Sequence, residues 1–289
     1  GCMRYKAVHT TTYRYEVPVG QCVSETHLTP RSFPGQLVMD SSIHIDPAPA
    51  VLESHRDYYG NEVSMFGIFT THDQLVVTAT SLIDREPDPS RPLPAISWEE
   101  ARAELTLHPD SDTLAAYEFV FDSPFVAASP QLAAFGAATF TPGRPLAEAV
   151  KELSARIHKE FSYKPKSTSI DSSLEDVLSR RQGVCQDFAH VMIGVMRSYR
   201  LAARYVSGYL RSGAKYLGAE ASHAWVSVYL PGYGWLDLDP TNNVLPSEGH
   251  VTVAWGRDYG DVTPVKGISL GGGGQVVDVV VRVEPVELS

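Results

Sequence analysis

The chain has 289 residues, enough to bury a core without disulfides or metal ions, and we expect two lobes rather than one large domain. Its composition, 43% hydrophobic and 20% charged, is that of an ordinary soluble globular protein. The formal net charge of -10 argues against nucleic acid as the main partner, because a phosphate backbone attracts basic surfaces. No apolar run approaches the about 18 residues needed to span a bilayer, so we expect no membrane partner.

The three cysteines, Cys2, Cys22 and Cys185, are odd in number and widely spaced. This pattern does not indicate a disulfide framework, and it favours a reducing compartment, the cytoplasm. The N-terminus shows no apolar segment of the signal-peptide kind, although a leader that had already been removed would leave no trace. The sequence leaves the oligomeric state open.

Short strands are predicted for the first part of the chain. Alternate positions from Tyr5 to Tyr15 carry apolar or aromatic residues, histidine or threonine, and further strand-like runs cover residues 37–45, 62–69 and 75–83. Turn signals separate these runs so closely that they predict an antiparallel sheet rather than β-α-β units. Residues 86–94 then hold four prolines and cannot form regular structure. We place a domain boundary there, which divides the chain into residues 1–95 and 96–289.

The second part mixes helices with strands. Apolar residues three and four apart predict a helix over residues 146–161, and a capping box at Ser172 predicts a second helix that ends at Gly183. A third helix is predicted from Cys185 to Tyr199. Strands follow at residues 203–210, 223–230 and 234–239, the last two as a hairpin, and a final strand covers residues 276–283.

Cys185 is predicted to lie in the first turn of its helix, directly after Gly183-Val184. Free N–H groups and partial positive charge at a helix N-terminus favour a thiolate, and they can also stabilise an oxyanion on an attacked carbonyl. The alternative is a buried structural cysteine, because free cysteines are among the most buried residues.

His223 and Asp239 are the candidate partners of that thiol. His223 opens one strand of the predicted hairpin and Asp239 ends the other, so the two side chains can be neighbours. A weak nucleophile needs a base, and the base needs a third group that selects its tautomer. Taken singly, a histidine at a strand edge and an aspartate before proline are often structural.

Five segments together resemble the bacterial transglutaminase-like superfamily. They follow the family's order, and they are Gly183–His190, Ala202–Tyr209, Ser222–Trp225, Gly234–Trp235 and Asp239–Asn242. The first ~90 residues are similar to the β-rich domain that often precedes this core. The resemblance implies an α+β fold, in which a β-rich antiparallel N-terminal domain precedes a papain-like core of helices packed on an antiparallel sheet.

The same resemblance implies a catalytic triad of Cys185, His223 and Asp239, with Tyr163 near the oxyanion or substrate site. It also implies that residues 256–261 lie near the core. Family members cross-link glutamine to amines, deamidate or cleave peptides, and some lack a working triad. Eukaryotic members use calcium, but no acidic loop of the EF-hand type occurs in this sequence, so we expect no cofactor and no calcium dependence.

The expected activity is thiol-dependent hydrolysis of a peptide or amide bond, as in a cysteine protease, with a peptide or protein substrate. Transamidation or deamidation of glutamine is the alternative within the same chemistry. A non-catalytic peptide-binding module is an alternative of another class. A metal site of Cys185, Asp187, His190 and His223 is a further alternative, although no Cys or His pair has zinc-ligand spacing.

Overall fold

The computed structural model describes residues 1–169 and 171–287. The first part of the chain is made of strands β1 (Met3–Thr26), β2 (Gln36–Asp46), β3 (Val51–Arg56), β4 (Glu62–Ile68) and β5 (His72–Arg85). The middle part holds α1 (Trp98–Leu107), α2 (Ser111–Tyr117), α3 (Pro130–Gly136), α4 (Leu146–Glu160), β6 (Ser162–Tyr163), α5 (Leu174–Arg180), β7 (Gln182–Gly183) and α6 (Cys185–Ser198). The last part consists of β8 (Ala203–Leu210), β9 (His223–Leu230), β10 (Gly234–Leu238), β11 (His250–Gly256), β12 (Val265–Gly271) and β13 (Gln275–Val286).

The α+β prediction is confirmed. A core sheet of antiparallel strands in the order β10-β9-β8-β11 packs against α6, which is buried along almost its whole length. Helices α3, α4 and α5 in turn cover α6. Because α6 is buried on nearly every side, it forms the centre of this second part of the chain.

An N-terminal sheet is built around the long strand β1. The first half of β1 lies between β5 and β13, and its second half lies between β4 and β12. The chain therefore returns to its beginning, and β13, which the sequence analysis grouped with the core, hydrogen-bonds along β1. Tyr5, Ala7 and Ile83 share one hydrophobic cluster with the helices of the core, so the sheet and the core are packed together.

The sequence analysis missed several strands and misplaced one helix start. All six residues of β3 are exposed, β12 contains two glycines, and six of the seven residues of β11 are buried, so none of them shows a clear alternation. Ser173, and not Ser172, caps α5 by accepting from the Asp176 N–H, and the helix ends at Arg180 because Arg181 adopts a left-handed conformation. Within the described residues, no helix is long and apolar enough to cross a membrane.

Two side-chain amides of the N-terminal sheet region pair with the backbone of β11, the edge strand of the core sheet. The Gln36 side chain donates to the Thr252 carbonyl (2.7 Å) and accepts from the Thr252 N–H (2.9 Å). Asn61 makes the same pair of bonds with Trp255, at 2.8 and 3.0 Å. These amides satisfy an edge strand that would otherwise offer free N–H and C=O groups.

We expect Gln36→Ala to lower the free energy of unfolding, since it leaves the Thr252 N–H and C=O groups buried without partners, at about 1–3 kcal/mol for each group. Gln74→Ala is the matched control, because Gln74 also lies on a strand but is exposed, and it should change stability by less than about 0.5 kcal/mol. Urea unfolding of both variants measures the difference. Equal stability of the two variants would show that this amide does not hold the edge strand.

Candidate active site

A cavity of about 380 Å³ opens beside the N-terminus of α6, and it is lined by both Cys185 and His223. Cys185 is the first residue of α6 and His223 is the first residue of β9. Asp239 follows the end of β10 directly. The structure therefore brings the three predicted residues to the same end of the core sheet, where the sheet meets its central helix.

Local contacts define the helix start at Cys185. Val184 is extended, and the Asp187 carboxylate accepts its N–H at 2.9 Å and the Thr168 hydroxyl at 2.6 Å. A Cβ at Gly183 would lie only 2.7 Å from the Asp187 side chain, so this turn requires glycine. The Cys185 side chain is buried but reaches the cavity, and Asp187 is engaged in capping the helix rather than in binding a ligand.

His223 and Asp239 form a buried pair. The His223 Nε2 atom lies 2.9 Å from Asp239 Oδ2, and both side chains are inaccessible to solvent. This bond places a proton on Nε2. The other ring nitrogen, Nδ1, is also buried, and it has no hydrogen-bond partner among the described residues. An imidazole held in this way presents an unshared nitrogen, which is the arrangement that a general base requires.

The Asp239 carboxylate is the acceptor of a dense network. Oδ2 accepts from His223 Nε2, His250 Nε2 (2.9 Å) and the Asn242 side chain (3.0 Å), while Oδ1 accepts from the Thr241 N–H (3.0 Å) and the Asn242 N–H (3.2 Å). Burial alone would raise the pKa of Asp239, but the charges of the two imidazoles and their hydrogen bonds hold it well below its ordinary value. The carboxylate therefore stays ionised although it is buried.

His223 responds to the charges on either side of it. Burial lowers its pKa, but the charges of Asp239 and Cys185, together with the hydrogen bond to Asp239, raise the pKa of His223 to about 10. An imidazole with this pKa holds a proton readily at neutral pH when the adjacent sulfur is ionised.

His250 is the site residue that the sequence analysis missed. It is the first residue of β11, and β8 lies between β11 and β9 in the core sheet. Its ring packs edge-on against Trp225, and burial lowers its pKa. No local motif marks His250, because its contact with Asp239 depends on the pairing of β11 with β8.

Asp237 faces a different partner. Its carboxylate accepts the indole N–H of Trp225 at 3.0 Å, and it makes no hydrogen bond to His223.

Tyr163 does reach the cavity, because the short parallel pairing of β6 with β7 places it opposite Gly183. Burial, followed by the charges of Cys185 and Asp239, raises the pKa of Tyr163 to about 12, so its hydroxyl is a donor at neutral pH.

The four residues of the metal alternative do not converge. His190 lies elsewhere, stacked on Phe125, and its Nε2 accepts the Tyr259 N–H at 3.1 Å. A different set, His223, Asp239 and His250, places its potential ligand atoms within 4.8 Å of one another. The two distances of 2.9 Å in this set are those of N–H···O bonds, which already satisfy the carboxylate without an ion.

Residues 256–261 form a turn against the core. Arg257 donates through its side chain and its backbone N–H to Asp261, while Asp258 accepts from the Phe125 N–H and the Gly260 N–H. These bonds hold Tyr259 where its ring lines the cavity. The segment therefore shapes one wall of the site.

Comparison with known proteins supports the family suggested by the motifs. The family described as the bacterial transglutaminase-like N-terminal region matches residues 5–84, and the transglutaminase-like superfamily matches residues 134–240. A crystal structure of a proposed cysteine protease from Cytophaga hutchinsonii covers 100% of this chain and 92% of its own, with a TM-score of 0.78 and 21% identity. At that identity the likeness concerns the fold.

Two sequence relatives extend the comparison. A protein-glutamine gamma-glutamyltransferase from Pseudomonas aeruginosa is 36% identical over 97 residues, which are 31% of this chain and 14% of that protein. An uncharacterized protein from Mycobacterium tuberculosis is 38% identical over 301 residues, covering 99% of this chain and 94% of the relative. With both parts of the chain matched, its motifs in order and its fold shared, this protein belongs to the bacterial transglutaminase-like superfamily.

Proposed function

We propose that this protein is a thiol-dependent acyl-transfer enzyme in which Cys185 is the nucleophile, His223 the general acid and base, and Asp239 the group that orients His223. The observation that carries the proposal is the state of His223. Its Nε2 atom is bound to the buried carboxylate of Asp239. Its Nδ1 atom has no hydrogen-bond partner among the described residues, and His223 lines the same cavity as Cys185.

The reaction follows from these positions. The Cys185 sulfur attacks the carbonyl carbon of an amide, and its proton resides on His223. As the tetrahedral intermediate collapses, the C–N bond breaks and His223 gives the proton to the leaving amine. In the second step His223 takes a proton from water, and the resulting hydroxide adds to the thioester. Collapse of this adduct breaks the C–S bond, releases the carboxylic acid and restores the Cys185 thiolate beside protonated His223.

The negative oxygen of each intermediate needs donors. The free N–H groups of the first turn of α6 lie next to Cys185, and the Tyr163 hydroxyl belongs to the same cavity and stays protonated. We propose that these groups stabilise the oxyanion. The ionised Asp239 keeps the proton of His223 on Nε2, so that Nδ1 can exchange a proton with the sulfur.

Hydrolysis of a peptide or amide bond is the outcome that we favour for the second step. Among the described residues that line the cavity there is no carboxylate to hold a primary amine. Transamidation or deamidation of glutamine is the second candidate, and it is favoured by the match to the Pseudomonas transferase.

We also propose a cytoplasmic location, since the three cysteines are free in the structure.

A non-catalytic peptide-binding module would have no need for the observed arrangement. Burying an ionised carboxylate and an imidazole costs free energy unless both are paired. Retaining such a pair beside a thiol is costly for a simple binding surface and necessary for a nucleophile with its base.

Cys185 should react with iodoacetamide at neutral pH faster than Cys22, because the adjacent imidazolium stabilises the thiolate, whereas burial raises the pKa of Cys22. Mass spectrometry of each cysteine over time gives the two rates. His223→Ala should slow the reaction at Cys185 and leave Cys22 unchanged. A Cys185 that reacts as slowly as Cys22 in the native protein would contradict a nucleophilic role.

Asp239→Asn should lower kcat/KM by about 10²- to 10⁴-fold, since an amide cannot select the required tautomer of His223. Alkylation of Cys185 at neutral pH should also slow, because the His223 imidazolium loses the charge that stabilises it.

Asp237→Asn is the matched control. It lies two residues away and keeps an acceptor for Trp225, so its effect on both readouts should be much smaller. Circular dichroism and thermal melts must show that both variants are folded. A folded Asp239→Asn protein with normal turnover and an unchanged alkylation rate would show that the third triad member is assigned wrongly.

Product analysis shows whether water or a primary amine accepts the acyl group from Cys185. We expect a peptide library to yield mainly hydrolysed products even when a labelled primary amine is present, because water reaches the thioester and none of the described lining residues is a carboxylate that could bind an amine. Cys185→Ala should abolish product in both conditions. Efficient incorporation of the amine with little hydrolysis would establish transamidation instead.

A further inference from the structure

One wall of the cavity comes from the N-terminal sheet and not from the core. His9, Thr11 and Tyr13 of β1 and Val277 and Val279 of β13 line it. Alternate residues of a strand share a face, and direct antiparallel partners do so as well. Thr11 is opposite Val279 and Tyr13 is opposite Val277, so these side chains form one continuous patch.

This patch carries no charge. Thr11, Tyr13 and the two valines are neutral, and both ring nitrogens of His9 are occupied by Tyr209 Oη (3.1 Å) and Thr11 Oγ1 (2.9 Å). Burial lowers the pKa of His9 to about 4, so its imidazole is neutral at pH 7. Among the described residues that line the whole cavity, none is Asp, Glu, Lys or Arg, and four are tyrosines: Tyr13, Tyr163, Tyr205 and Tyr259.

We propose that the β1–β13 patch is a specificity wall that admits an apolar or aromatic side chain of the substrate beside the attacked carbonyl and rejects a charged one. The inference rests on the proposed function of Cys185. A charged side chain packed against this wall would lose its hydration without gaining an ion pair from the wall, whereas an apolar one would bury its surface against valine and tyrosine. The N-terminal sheet is thus part of the substrate site.

Labelling of Cys185 by dipeptidyl chloromethyl ketones tests this wall. The probes carry Phe, Lys or Glu at either of their two positions and Ala at the other. We expect the Phe probe to label wild-type protein at least about tenfold faster than the Lys and Glu probes at one of these positions, which corresponds to about 1.4 kcal/mol.

Val277→Asp places a carboxylate in the patch and should lower the ratio of Phe to Lys labelling at least about fivefold, because the Lys probe gains a partner. Val276→Asp is the matched control: Val276 is the adjacent residue of β13, 63% exposed against 46% for Val277, and it does not line the cavity. The control should keep the wild-type ratio.

Iodoacetamide, which carries no side chain, separates this inference from the function on which it rests. Two results would refute the specificity wall but leave the nucleophilic role of Cys185 intact. In the first, Cys185 reacts with iodoacetamide but the three probes label it equally; in the second, Val277→Asp and Val276→Asp give the same labelling ratio. If Cys185 is inert to iodoacetamide and to every probe, the proposed function fails, and the inference fails with it.

Discussion

The buried Asp239 carboxylate is the constraint around which the site is arranged. Water cannot solvate this buried charge, so the surrounding chain must supply hydrogen-bond donors. Five N–H groups from β9, β11 and the turn after β10 do so. This demand brings the His223 and His250 rings to the same oxygen, Oδ2. Removing any of these donors leaves part of a buried charge unsatisfied, which links the geometry of the proposed triad to the stability of this end of the sheet.

Close packing beneath this network constrains the imidazole rings. Trp225 lies against His250 and donates to Asp237, and its ring sits over Gly208. A Cβ at Gly208 would be 2.4 Å from the indole and 2.2 Å from the Val251 carbonyl. The absence of a side chain on β8 therefore lets a large aromatic ring support the imidazoles from below, and the rings cannot turn without displacing that packing.

The N-terminal sheet has two roles in this arrangement. Through Gln36 and Asn61 it satisfies the edge strand that carries His250, and through β1 and β13 it supplies part of the cavity wall. Because β13 belongs to the end of the chain and pairs with its beginning, both termini contribute to the same surface. The β-rich part of this protein therefore supplies side chains to the cavity that Cys185 and His223 also line.

The sequence by itself determined the parts whose signals are local or ordered along the chain. Helical periodicity located α4 and α6, the turn at residues 231–234 indicated the β9–β10 hairpin, and motif order indicated the family and the candidates Cys185, His223 and Asp239. These features depend on neighbours in sequence, where periodicity and turn chemistry act directly.

Only the tertiary structure decided what depends on pairing between distant segments. The contact of His250 with Asp239 requires β11 to lie beside β8, and the uncharged wall requires β13 to lie beside β1. Such contacts follow from burial and strand register over long distances, and a strand with mixed polarity such as β11 or β12 carries no local signal of its partner.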